Sequence, residues 1–210
     1  AELAAEEGLK IYIAPSINYG VSWYHTGFPG TVSISTRVFM DMIKQVSYGI
    51  HKSGFKNIIL LNSHGGNNSA IDVAMTELYE EEKIRVYGAF YFNMCKNALG
   101  KFGVKSPFTH SEQGETSMNI ALGQRVLMEE ARRECFNRKE ALRAINVPTS
   151  KHINYNPLEC GSVTAPMDFI DDISESGIVG DATLSGIDLG LAMVDEILAT
   201  MVELIKDLNK

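Results

Sequence analysis

Long apolar runs are missing from this chain. No stretch approaches the length needed to cross a bilayer, so a soluble protein is expected. Cysteine is scarce: Cys95, Cys135 and Cys160 are odd in number and widely spaced, with no CxxC pair and no zinc-ribbon pattern. That argues for reduced thiols in a cytoplasmic protein, and a catalytic cysteine has no local signature. The sequence contains no GxGxxG, Walker A or GxSxG motif, so nucleotide-binding and serine-hydrolase chemistry have no support. Positive charge is also short. A net charge of -7 disfavours nucleic acid and anionic membrane surfaces as partners. Internal repeats, low-complexity tracts and linkers are absent as well, so the 210 residues read as one domain.

What is present is an ordinary globular balance, 45% apolar and 21% charged, enough for a sizeable core. The first eight residues are acidic and helical rather than signal-like, with Gly8 as a C-cap, so the chain opens in mid-helix. Residues 11–15 read as a short buried strand, and residues 16–31 as a long Gly-, Pro- and aromatic-rich loop. Ser35 or Thr36 can cap a helix that Gly54 closes, followed by a strand over 56–62. A helix over 69–83, with Ile71, Ala74, Met75 and Leu78 on one face, leads to a strand over 84–90. This alternation predicts an α/β protein with a mostly parallel sheet. Residues 93–111 read as irregular, 116–122 as helix, and 129–144 as helix broken at Asn137. Residues 147–181 are loop-rich, with Pro148, Pro157, Gly161, Pro166 and Gly177, before a long amphipathic helix over 184–208.

Four clusters carry candidate chemistry. The first is Asn62-Ser63-His64-Gly65-Gly66-Asn67, at the carboxyl end of an apolar strand. In open α/β sheets ligands bind at such ends. A lone histidine is more often structural than ligating, but this position favours a metal ligand. The second is His110-Ser111-Glu112-Gln113-Gly114-Glu115-Thr116-Ser117, where imidazole and carboxylates suit Zn, Fe or Mn, or where Ser111 with Gln113 or Glu115 caps a helix. The third is His25-Thr26-Gly27-Phe28-Pro29-Gly30-Thr31, preceded by Trp23 and Tyr24: a small-molecule pocket, or a loop anchored by its aromatics. The fourth, Gly177-Ile178-Val179-Gly180-Asp181, reads as a turn with Asp181 capping the final helix.

In this order, and with Pro15-Ser16-Ile17-Asn18-Tyr19-Gly20 ahead of them, these segments resemble the creatininase (creatinine amidohydrolase) family over essentially the whole chain. The resemblance implies a three-layer αβα sandwich with a two-metal centre that hydrolyses C–N bonds in small molecules. It makes His64 and Glu115 metal ligands and His110 the acid–base residue. His25, Ser63, Gly65, Gly66 and Asn67 fall around the substrate. It also implies a homo-oligomer and two divalent ions, Zn, Mn or Fe.

Two departures stand out. The family pattern has His-Ala-Gly before Glu-Thr-Ser, whereas this chain places Glu112 there, an extra carboxylate. It could bind a polyol hydroxyl, act as a second acid–base group, or point into solvent. The Glu-x-His element and aspartate that the resemblance implies ahead of the first helix have no counterpart here. Roughly three of the five implied protein ligands are then unaccounted for, and an N-terminally incomplete chain is expected.

Overall fold

In the computed structural model, residues 2–104, 109–135, 137–154 and 163–210 are described. They fall into two units: Ala1–Val21, Ile34–Met94 and Asp195–Lys210 form the first, Ser22–Ser33 and Cys95–Val194 the second. Cys160, Pro157 and Gly161 lie outside the described residues.

The first unit opens with helix α1 (Glu2–Glu6), which Gly8 ends at φ 77 as expected of a C-cap. Helix α2 (Thr36–Lys52) starts where the Ser35 hydroxyl accepts the Val38 amide, and the chain leaves it through Gly54 at φ 100. Strand β1 (Ile58–Asn62), helix α3 (Asn68–Glu82) and strand β2 (Val86–Phe90) then form a β-α-β unit. The two strands are parallel, in register from Ile58 opposite Val86 to Asn62 opposite Phe90. The predicted face of α3 supplies the packing: Ile71 and Ala74 join Val21, Phe39 and Ile43, while Leu78 joins Ile58, Ile84 and Val86. Each buried branched side chain contributes about 2 kcal/mol of transfer free energy. This pairing sets the carboxyl end of β1, where the Asn-Ser-His run begins.

The second unit is looser in regular structure. It contains α4 (Lys96–Lys101), α5 (Gln113–Ala121), β3 (Arg133–Glu134), α6 (Arg138–Ala144), β4 (Ile153–Asn154), β5 (Val163–Thr164) and β6 (Gly180–Asp181). Strands β4 and β5 pair in parallel, β3 and β6 antiparallel. Tyr24, Leu142, Ile170, Ile173 and Val179 make its core. Helix α7 (Ile187–Leu208) closes the chain, contributing residues up to 194 here and the remainder to the first unit. No described helix is long and apolar enough to cross a membrane.

Four sequence expectations are corrected. Residues 11–15 form no strand, and Tyr12 and Ile13 are exposed at 75% and 78%. A strand needs a partner for its backbone groups, and none pairs with this segment among the described residues. The segment read as irregular after residue 93 contains α4, a helix too short to show periodicity. Residues 129–144 divide into a 3-10 turn, β3 and α6, and Asn137 starts α6 by accepting the Glu140 amide at 3.4 Å instead of breaking a longer helix. Asp181 caps the short turn Ala182–Leu184, not the final helix, by accepting the Thr183 amide at 3.0 Å.

Candidate active site

At the end of β1 the buried Asn62 amide organises the turn. Its Nδ2 donates to the His64 carbonyl (2.8 Å) and to Asn68 Oδ1 (2.6 Å), and its Oδ1 accepts the His64 amide (3.2 Å). Gly65–Asn67 forms a 3-10 turn that runs into α3. His64 Nε2 lies 3.0 Å from the Val21 carbonyl. A carbonyl only accepts, so this contact puts the proton on Nε2 and the lone pair of the neutral ring on Nδ1. Burial lowers the His64 pKa, with the Val21 carbonyl opposing, which favours the neutral form that binds metals. Asn67 Oδ1 accepts the Val21 amide (2.9 Å) and its Nδ2 reaches Asn62, so this side chain braces the turn. Ser63 is exposed, and Gly65 and Gly66 are half-buried.

In the second unit the structure brings His25, His110 and Glu115 together. The imidazoles of His25 and His110 stack at 4.1 Å between centroids, tilted by 37°, and His25 also packs 4.5 Å from the Tyr24 ring. His110 Nδ1 lies 3.9 Å from Glu115 Oε2. Ser111, at φ 50, presents its amide to that same oxygen at 2.5 Å. Such a backbone is uncommon outside glycine and marks a held geometry. Thr116 Oγ1 donates to the Ser111 carbonyl (3.1 Å), and the buried Ser117 hydroxyl accepts the Gly186 amide (3.0 Å). Thr116 and Ser117 therefore face the scaffold, and Glu115 is the member of that trio beside the histidine.

Of the roles the sequence left open for Glu112, burial excludes the solvent-facing one. It is 1% exposed and caps α5, accepting the Gly114 amide at 2.7 Å and the Glu115 amide at 3.2 Å. The packing requires a glycine opposite: a Cβ on Gly180, at φ 135, would stand 2.7 Å from the Glu112 Cβ. Burial pushes the Glu112 carboxyl up to about 7; the Gly114 amide opposes this and the nearby Glu115 charge adds to it. Burial also raises Glu115, against the Ser111 amide.

The sign of the resulting pH effect is fixed. Between pH 4.5 and about 7 the folded protein keeps a proton on Glu112 that the unfolded chain releases. Stability therefore falls as pH rises through that window, by about 3 kcal/mol from this group, and no further above it. In Glu112→Gln this part of the slope is expected to vanish. Urea unfolding at the two ends of the window measures it, and an unchanged slope in the variant would refute the assignment.

The family model described as creatininase, creatinine amidohydrolase, matches residues 1–205. The chain belongs to the creatininase family. Among curated relatives, the 3-dehydro-scyllo-inosose hydrolase of Thermotoga maritima is 27% identical over 93% of this chain and 65% of its own length. The mycofactocin precursor peptide peptidase of Mycolicibacterium smegmatis is 41% identical over 33% of the chain and 28% of its own length. The chain thus spans less than two thirds of either. Among solved structures, a putative creatinine amidohydrolase from Bacteroides fragilis covers 99% of the chain and 76% of that structure at 17% identity, TM-score 0.73. A mutant creatininase of Zn–Zn type covers 90% of the chain and 71% of that structure at 16% identity, TM-score 0.63. These likenesses establish the creatininase fold, an α/β architecture.

Membership of the creatininase family raises the question of a metal, and two side chains are donors of the right kind. His64 offers imidazole oriented by a carbonyl behind it, and Glu115 a carboxylate anchored by an amide. They do not match in number. Among the described residues no group of three or more His, Cys, Asp or Glu side chains stands close enough to hold an ion.

Proposed function

We propose that this protein is a metal-dependent hydrolase of the creatininase type, one domain that cleaves the C–N bond of a small amide, cyclic amide or formamide. The observation that carries the reading is the gathering of His25, His110 and Glu115 at the start of α5. His110 is the acid–base group. Its imidazole, steadied by Glu115 on one side and His25 on the other, moves a proton to the leaving nitrogen. Glu112 serves the site through the helix it caps, because that helix carries Glu115. Ser63, Gly65, Gly66 and Asn67, with His25, contact the substrate. His64 and Glu115 contribute to holding two divalent ions, Zn, Mn or Fe, whose chemistry when bound is to acidify water near neutral pH. The creatininase of Zn–Zn type supports that choice of cofactor. The working form is a cytoplasmic homo-oligomer acting on a small molecule, with no nucleic acid or membrane as partner.

A second reading, hydrolytic opening of a cyclitol ketone ring, is supported by the inosose hydrolase aligned with 93% of the chain. One experiment separates the two. The protein, purified with its natural termini and supplied with Zn or Mn, is offered a panel of small and cyclic amides and an inosose. Turnover of the amides alone supports the first reading, and turnover of the inosose alone the second. Consumption of neither would sink both and leave a non-catalytic binding protein of the same fold.

A further inference from the structure

His110 is held by a segment that has an anchor of its own. The Val179 amide donates to the His110 carbonyl at 2.8 Å, and the His110 amide returns to the Val179 carbonyl at 3.4 Å. The Thr109 hydroxyl donates to the same Val179 carbonyl. Gly180 and Asp181, which follow, pair with Glu134 and Arg133 of β3. Val179 is thus linked to His110 on one side, and the residues after it to β3 on the other.

The turn leading into Val179 is knitted together by hydroxyls. Ser174 Oγ donates to the Ile178 carbonyl (2.8 Å), and the Ile178 amide donates to Ser176 Oγ (3.3 Å). One side chain from outside the turn gathers it. The Glu134 carboxylate accepts the Glu175 amide, the Ser176 hydroxyl, and the Ser176 amide at 3.3 and 3.4 Å from its two oxygens. Burial opposes ionisation of Glu134, but the hydrogen bonds from Ser176 and Glu175 outweigh it and hold the carboxyl below its usual range. Hydrogen bonds to an ionised acceptor are about twice as strong as neutral ones. Glu134 lies outside every motif that carries the family resemblance.

We propose that Glu134 is a positioning residue for His110: its carboxylate latches the 174–176 turn, the turn fixes Val179, and Val179 fixes the His110 backbone. The catalytic part of this rests on His110 being the acid–base group. A shift of a reacting group by about 1 Å can cost about a hundredfold in rate, so a remote latch can matter.

The test uses Glu134→Ala and Glu134→Gln in the whole protein, with two readouts. Amide hydrogen exchange at Val179 is expected to quicken about tenfold or more in Glu134→Ala, while amides of α3 stay unchanged. The value of kcat is expected to fall about tenfold with KM within about twofold, because placement and not binding is lost. Glu134→Gln keeps one acceptor and is expected to recover part of both, which a general loss of folding would not produce. Unchanged exchange at Val179 overturns the latch. Faster exchange with unchanged kcat overturns its role in positioning His110. A parent protein inactive on both substrate classes would refute the functional reading alone, because the exchange readout still decides whether Glu134 holds Val179.

Discussion

Replacing His110 with asparagine is expected to lower kcat by about 10² to 10⁴-fold, the usual range for losing a positioned acid–base group, with a much smaller change in KM. The amide of asparagine fills similar space and still hydrogen-bonds, but it cannot carry a proton between pH 5 and 9. Geometry supports a proton-handling role: Glu115 Oε2 lies 3.9 Å from Nδ1, His25 stacks on the ring, and Val179 holds the backbone. The same contacts predict that folding barely notices the change, since the ring is about one-third exposed. Steady-state kinetics on the substrate identified by the panel, beside thermal melts, would check both halves. A variant that keeps most of its kcat would remove His110 from the chemistry.

The largest expected effect on stability lies at Gly190. A Cβ there would fall 2.0 Å from the Ser117 carbonyl oxygen and 2.7 Å from the Ala121 Cβ, both on α5. The first obstacle is backbone, which cannot swing aside, so α5 and α7 would have to separate. Overpacking of this kind costs about 3 kcal/mol. Gly186, one turn earlier, has nothing within 4 Å of its added Cβ, and its alanine variant is expected to change stability by less than about 0.5 kcal/mol. Comparing Gly190→Ala with Gly186→Ala by urea unfolding separates crowding from the general effect of alanine for glycine. Equal stabilities would mean that the two helices do not cross in contact. Because α5 carries Glu115, Gly190→Ala is also expected to lose activity with stability.

Much of the first unit was legible in the sequence. Ser35 and Gly54 mark both ends of α2, and the apolar face of α3 matches its burial. The apolar strand read ahead of His64 and its two glycines is present, with Asn62 as its last residue. The second unit was harder to read for a physical reason. Its strands are two residues long and its helices short, so neither period 2 nor period 3.6 has room to appear. Glu112 illustrates a different limit. A carboxylate near a helix start looks the same in sequence whether it faces solvent, substrate or the helix's own amides, and only burial at 1% distinguishes the last. Glu134 left no signal at all, since its partners lie some forty residues downstream on a turn. In residues 11–15, apolar composition suggested a buried strand, but composition does not supply a hydrogen-bonding neighbour.

The inward hydrogen bonds of Thr116 and Ser117 bear on how relatives of this chain are to be interpreted. Two letters of the Glu-Thr-Ser signature serve the fold in this chain, because they tie α5 to Ser111 and Gly186. A relative that shares this packing needs both whether or not it is a catalyst, and matches the signature at two positions out of three on that ground alone. The informative letter is the first. A homologue with Thr and Ser intact but the glutamate replaced would keep the ties of α5 and lose the carboxylate beside His110, and a search that weights the three letters equally would miss the difference.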